Sequence, residues 1–124
     1  MKIIDAIQRA DDLCPNNYTQ EEKLHWLSQV DGKIKREIID THEGHENVHF
    51  TPYDSKTDVN NTELLAAYPY DGLYVNWLMA QINYHNGEIE DYNNNITDYN
   101  DEVTSFSNWY NRQHMPLSTS IKYW

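Results

Sequence analysis

Large apolar residues recur at alternating spacings of three and four between Ile89 and Tyr110. The seven members of this heptad stripe are Ile89, Tyr92, Ile96, Tyr99, Val103, Phe106 and Tyr110. Such spacing is typical of an α-helix that packs one apolar edge against other helices. Most residues between the members are asparagine, aspartate or serine, which are weak helix formers. The sequence therefore predicts a long helix that depends on packing against a partner surface.

Two further helices are predicted in the first third of the chain. Residues 2–13 place isoleucine and alanine at helical spacing, and Pro15 follows the end of this segment. The second helix is predicted over residues 20–42. It begins at Thr19, which together with Glu22 makes a capping-box pattern.

The region between the second and third helices is polar, which predicts a long surface loop over residues 44–61. Residues 48–50 are expected to pair as a short strand or hairpin arm, and residues 62–65 to form a turn of helix. The third helix is predicted to open at residues 69–71 and to end at the Asn-Gly pair at 86–87.

The predicted fold class is all-α: a small bundle of about four helices with this long polar loop between the second and third. The chain length of 124 residues fits one domain, which we place at residues 1–116, followed by a C-terminal tail at 117–124. Three of the last four residues are large and apolar, whereas chain ends are usually polar. We therefore expect the tail to dock on its own domain or on a partner. The predicted interface consists of Phe50, Tyr53, Leu117, Ile121, Tyr123 and Trp124.

The charge distribution argues against binding to nucleic acid or to an anionic membrane. The net charge is −11, and from Glu63 to Asn111 there are eight acidic residues and no lysine or arginine. Proteins that grip phosphates need the opposite charge. An acidic surface would instead suit a channel wall that DNA must pass without adhering.

Cysteine content and hydropathy limit the chain further. Cys14 is the only cysteine, which excludes an intramolecular disulfide and a thiolate zinc cluster. No run approaches the ~20 apolar residues of a membrane span. The N-terminus reaches Asp5 before any apolar segment, unlike a signal peptide. We expect a cytosolic protein.

One motif has the spacing of a zinc site. His45, Glu46 and His49 form the H-E-x-x-H pattern, in which two histidines on one helix face bind zinc and the glutamate activates water. His42 and Glu63 are candidates for a third ligand. A glycine directly before the motif and a proline three residues after it disfavour the helix that this site needs. The sequence therefore favours a polar, histidine-rich loop over a metal site.

No other pattern predicts catalysis. The four glycines are scattered, so no phosphate-binding loop is present, and there is no G-x-S-x-G motif. The acids Glu88, Glu90 and Asp91 are interpreted as a solvated helix face. The aromatic residues of the third and fourth helices either pack between these helices or line a ligand pocket, and packing is favoured. We expect neither enzymatic activity nor a cofactor.

Three segments carry a family resemblance, at residues 15–27, 38–44 and 64–116. They include the Pro15-Asn16-Asn17-Tyr18-Thr19 run, the Pro69-Tyr70-Asp71-Gly72-Leu73-Tyr74 run and the Trp109-Tyr110-Asn111-Arg112 run. In these segments the chain resembles small proteins from the structural gene blocks of tailed phages and prophages of Gram-positive bacteria. That group is similar to the head–tail connector, or adaptor, family. The resemblance rests on helical pattern and aromatic spacing rather than on a catalytic signature.

The resemblance implies a non-catalytic helical adaptor that assembles as a ring below the portal and bridges head to tail. Its partners would be further copies of itself, the portal protein and a downstream neck or tail-completion protein, with DNA passing through the ring. It would be found in the host bacterial cytoplasm during assembly and then in the virion neck. Two alternatives remain: a small zinc-dependent hydrolase built on His45, Glu46 and His49, and another prophage scaffolding or regulatory protein.

Overall fold

The computed structural model describes residues 1–117, and all regular secondary structure in these residues is helical. The four α-helices are α1 at Ile3–Leu13, α2 at Gln20–Lys33, α3 at Gly72–His85 and α4 at Ile89–Gln113. Within the described range, β-type pairing is limited to two isolated bridges, Lys2 with Glu63 and His42 with Pro116. The predicted all-α class with four helices and a long loop is confirmed.

The second helix begins as the sequence predicts, at the Thr19 cap. The Thr19 hydroxyl accepts a hydrogen bond from the backbone N–H of Glu22 at 3.2 Å. Beyond α2 the helical path continues as a π-helical turn at Ile34–Ile38 and a 3-10 turn at Ile39–Thr41. The path thus ends within one residue of the predicted position, but its change in helix type was not predicted. The wider π-helical turn accompanies the burial of two consecutive residues, Ile38 and Ile39.

The third helix is the centre of the fold, because it packs against α1, α2 and α4. Five of its side chains are fully buried: Leu73, Tyr74, Leu78, Ala80 and Ile82. The remaining core comes from α1, from the apolar face of α2 and the two helical turns after it, from Leu64 and Ala66, and from the C-terminal half of α4. A burial pattern that surrounds α3 explains why its sequence is apolar on nearly all sides.

The third and fourth helices form an antiparallel hairpin. Gly87, in the connection, has a backbone φ of +79°, a left-handed conformation that glycine adopts readily. At 1.5 Å per residue, the 25 residues of α4 span about 37 Å, against about 21 Å for the 14 residues of α3. The C-terminal part of α4 therefore extends past the start of α3 and contacts Tyr70 and His42 instead.

The long loop is attached to the core through one buried carboxylate on α2. Asp31 is fully buried. It accepts hydrogen bonds from the hydroxyls of Tyr53 and Tyr74, each at 2.5 Å, and from the backbone N–H of Leu65 at 3.1 Å. Burial raises the pKa of Asp31, while the three hydrogen bonds oppose that rise. The two halves of the loop are thus held against α2 and α3.

Two local predictions for this loop were wrong. Residues 48–50 do not pair as a strand, because the segment follows a 3-10 turn and packs side chains onto α2 rather than offering backbone groups to a neighbour. Residues 62–65 do not form a helical turn. Their backbone instead forms hydrogen bonds to two other parts of the chain. The N–H of Leu64 donates to the carbonyl of Met1 at 2.9 Å, and the N–H of Leu65 donates to the carboxylate of Asp31.

Candidate interaction surfaces

The heptad stripe of α4 lies in the core over only half of its length. Phe106 is 2% exposed and Tyr110 is 6% exposed, and both belong to the hydrophobic core. At the other end, Ile89 is 54% exposed. Tyr92 and Ile96 are half-buried but lie outside the core cluster. The N-terminal half of the stripe therefore lies outside the core, although the ring of Tyr92 still meets that of Tyr84 on α3 at 5.3 Å between centroids.

Polar pairs between α3 and α4 account for this asymmetry. The side-chain amide of Asn83 donates to that of Asn95 at 2.7 Å, and the amide of Asn76 donates to the carboxylate of Glu102. These positions sit next to Ile96 and Val103 in sequence, so the face that meets α3 includes Tyr92 and Tyr99 of the stripe but is turned away from its isoleucines. Burial raises the pKa of Glu102. The rotation turns the isoleucines of the stripe towards the flank of α4.

A groove runs between α2 and α4 on that flank. It comprises two adjoining cavities of about 450 and 210 Å³, and Lys33 and Tyr99 line both of them. The other lining residues are Gln29, Val30, Ile34, Glu37, Ile38, Trp77, Val103, Thr104, Ser107 and Asn108. The indole Nε1 of Trp77 is buried with no hydrogen-bond partner among the described residues. We call this feature the α2–α4 groove.

The groove closes where the helical path of α2 ends. His42 is buried there, with Nε2 2.5 Å from Asn111 Oδ1 and Nδ1 2.5 Å from the carbonyl of Ile38. Its ring also meets the Tyr110 ring edge-on at 5.0 Å between centroids. These contacts join the two helical segments at one end, and the groove separates them further towards Gln29.

The described part of the tail follows directly on this junction. The backbone N–H of Glu43 donates to the carbonyl oxygen of Met115 at 2.8 Å, and the N–H of Leu117 donates to the carbonyl oxygen of Thr41 at 3.0 Å. Leu117, a predicted interface residue, is half-buried. The other predicted tail residues, Ile121, Tyr123 and Trp124, lie outside the described residues.

The two predicted interface residues of the loop are partly engaged within the molecule. Tyr53 is half-buried, packs against the core and donates its hydroxyl to Asp31. Phe50 is half-buried beside α2 and meets the Tyr53 ring edge-on at 5.3 Å between centroids. Burial and the neighbouring carboxylate of Asp31 raise the pKa of Tyr53. Part of each ring remains open to a partner.

Charge is segregated along the chain and on the surface. Glu88, Glu90 and Asp91 are all exposed at the start of α4, as predicted for a solvated face. Three of the nine basic residues instead cluster at the end of α2, where Lys33 and Arg36 are exposed and Lys35 pairs with Asp40. The acidic end of the α3–α4 hairpin and the basic end of α2 are therefore two distinct surfaces.

The residues of the H-E-x-x-H pattern do not share one helix. His45 and Glu46 lie in a 3-10 turn at His45–Asn47, and His49 follows in the irregular chain. His45 faces acids instead, with Nε2 3.5 Å from Glu46 and Nδ1 3.8 Å from Asp40. Among residues 1–117, no group of three or more histidine, cysteine, aspartate or glutamate side chains is placed to hold a metal ion. The helical geometry required by the zinc hypothesis is absent here.

The aromatic residues of α3 and α4 divide between core and surface. Tyr74 is fully buried, and the rings of Trp77 and Tyr99 lie 4.8 Å apart between centroids. Tyr84 remains 53% exposed, and Tyr68, just before α3, is 85% exposed. Most of this cluster therefore packs between the helices, and the exposed members add to the apolar surface.

None of the helices in the described range is both long enough and apolar enough to cross a membrane. Comparison of the sequence with protein-family models, curated proteins and solved structures gives no match.

Proposed function

We propose that this chain is a non-catalytic assembly protein of the phage or prophage head–tail connector type, which binds copies of itself and bridges a portal protein to the next neck or tail protein. The observation that carries the proposal is the open half of the heptad stripe. A helix that exposes Ile89 and leaves Tyr92 and Ile96 outside the core presents an apolar face that association would cover.

The composition and packing of α4 support the same proposal. Its 25 residues carry little intrinsic helix propensity, and only its C-terminal half is packed into the core. A helix of this composition gains stability when a second surface covers its open face. Packing against further copies would supply that surface.

The charge pattern also fits an adaptor that surrounds DNA without binding it. Along α4 the acids Glu90, Asp91, Asp98 and Asp101 are all exposed. No basic residue precedes Arg112 on this helix. An exposed acidic helix repels the phosphate backbone and leaves DNA free to slide.

The direct test is assembly on the portal protein encoded in the same gene block. Purified chain is mixed with portal rings and imaged by electron microscopy, and we expect an additional ring on the portal. Failure to bind portal under these conditions would contradict the proposal. The neighbouring genes give an independent test: portal, protease and capsid genes upstream, with tail genes downstream, are expected for a connector.

The tail provides a sharper variant of this test. Removing residues 117–124 is expected to abolish portal binding while leaving the helical circular dichroism signal unchanged. Loss of helical signal would instead place the tail in the core. Zinc content, measured on protein purified without a His tag, separates the adaptor from the hydrolase alternative, since a stoichiometric metal ion would favour the latter.

A further inference from the structure

The end of the α3–α4 hairpin combines exposed apolar and acidic side chains. Tyr84 is 53% exposed and Ile89 is 54% exposed. Glu88, Glu90 and Asp91 surround Ile89 in sequence, are exposed, and form no ion pair with any residue of the described part of the chain. We call these five residues the hairpin knob.

The α2–α4 groove has the complementary chemistry. One wall is formed by the end of α2 and the π-helical turn, whose largely buried Ile34 and Ile38 line the larger cavity. Lys33 is the one basic residue among its described lining residues, and Arg36 is exposed on the next turn. Glu37 is the one acid in that lining and balances Lys33, so Arg36 leaves one net positive charge on this side of the groove. An apolar knob surrounded by acids therefore fits this groove in both hydropathy and charge.

The knob and groove of one molecule cannot meet each other. Ile89 and Val103 lie on the same helix, and their separation of fourteen positions corresponds to about 21 Å along a rigid rod. A second molecule has no such constraint. Its knob can approach the groove from solvent, where Thr104 and Asn108 are exposed at the rim.

We propose that the hairpin knob of one copy of this chain docks in the α2–α4 groove of a second copy. Ile89 and Tyr84 enter between the two helical walls, and the acids of the knob face Lys33 and Arg36. Because the two surfaces differ, the contact is heterologous and leaves one free knob and one free groove, so copies add in sequence and a ring forms where the rotation closes. The inference rests on the proposed self-association and assigns its surfaces.

Two single substitutions test the two surfaces separately. Ile89→Asp replaces the centre of the knob at an exposed first helical position, where an acid is compatible with the helix dipole. Thr104→Glu places a negative charge at the groove rim on the exposed face of α4, and glutamate is the better helix former. Sedimentation analysis up to about 1 mM protein covers weak association. Each variant is expected to lose about tenfold or more in the association constant.

Mixing the variants distinguishes a heterologous contact from a symmetric one. Ile89→Asp keeps an intact groove and Thr104→Glu keeps an intact knob, so an equal mixture is expected to form a dimer that does not grow further. Matched controls lie elsewhere on the surface: Leu13→Asp at a side chain 60% exposed on α1, and Ser105→Glu at an exposed position of α4 about 100° around the helix from Thr104. Both controls are expected to associate as the unmodified chain does.

The inference is overturned if either test variant associates like the unmodified chain, if the mixture stays monomeric, or if the unmodified chain is monomeric throughout the concentration range. If Thr104→Glu leaves association unchanged but shifts the indole proton signal of Trp124, the groove is filled by the last residues of the same chain and the inference is likewise wrong. The adaptor proposal is tested separately, by portal binding, and does not depend on which surfaces join the copies.

Discussion

The hydroxyl of Tyr74 donates a hydrogen bond to the carboxylate of Asp31 at 2.5 Å, so a fully buried acid on α2 is bound by a fully buried tyrosine on α3. The same hydroxyl oxygen accepts from the backbone N–H of Ala66 at 2.7 Å. Tyr53 supplies a second hydroxyl to Asp31 from the other half of the loop. One carboxylate therefore fixes the positions of two helices and of two points, Tyr53 and Leu65, in the connection between them.

The two tyrosine contacts to Asp31 predict unequal losses of stability. Tyr53→Phe removes one hydrogen bond and is expected to lower the free energy of unfolding by about 1 kcal/mol. Tyr74→Phe removes one donor to Asp31 and also leaves the buried N–H of Ala66 without its acceptor, so its cost is expected to reach about 2–4 kcal/mol. Urea denaturation followed by circular dichroism measures both. Equal losses would contradict the shared role of the Tyr74 hydroxyl.

The burial of Asp31 predicts a pH dependence of stability. Its pKa is raised in the folded protein, chiefly by desolvation. A carboxyl whose folded pKa exceeds the unfolded value stabilises the fold most when protonated, and this contribution is lost as pH rises through the folded pKa. The stability of the unmodified chain relative to Asp31→Asn should therefore increase as pH falls from neutrality through the folded pKa. Urea denaturation across that range measures the difference, and a decrease on acidification would contradict the prediction.

The cluster around Asp31 also shows why the sequence could not predict it. Its tyrosine partners lie 22 and 43 residues away. Local pattern places an aspartate between Val30 and Ile34 only as an interruption of the apolar face of α2. Asp31 is buried because the long loop packs back onto α2. Sequence periodicity, which reports only local structure, does not predict this contact.

The fourth helix was predictable in extent but not in orientation. Spacing alone located the helix from Ile89 onward, because a repeat of three and four persists through six intervals. The face that packs on α3 also includes Asn95 and Glu102, whose partners Asn83 and Asn76 lie on another helix. Polar pairing of this kind depends on the tertiary arrangement, so the exposure of Ile89 became apparent only in the structure.

That orientation predicts that alanine substitutions along the heptad stripe cost much more stability at its C-terminal end than at its N-terminal end. Phe106→Ala removes a ring that is 2% exposed and is expected to cost about 3–5 kcal/mol. Ile89→Ala alters a side chain that is 54% exposed in the monomer and is expected to change stability by less than about 0.5 kcal/mol. Thermal or urea denaturation at low protein concentration measures both. Comparable losses at the two positions would mean that the whole stripe is buried in the monomer.

Alanine substitutions at Gly87 and Gly32 are expected to change the free energy of unfolding in opposite directions. Gly87 has a φ of +79° and no atom within 4 Å of an added Cβ, so Gly87→Ala is expected to cost about 1–2 kcal/mol through backbone strain alone. Gly32 lies within α2, and an added Cβ would meet the Phe50 ring at 3.7 Å, an ordinary contact. Gly32→Ala is therefore expected to raise the free energy of unfolding by about 0.5–1 kcal/mol. Urea denaturation of both variants tests the pair, and a destabilising Gly32→Ala would indicate that Phe50 packs more tightly on α2 than this contact implies.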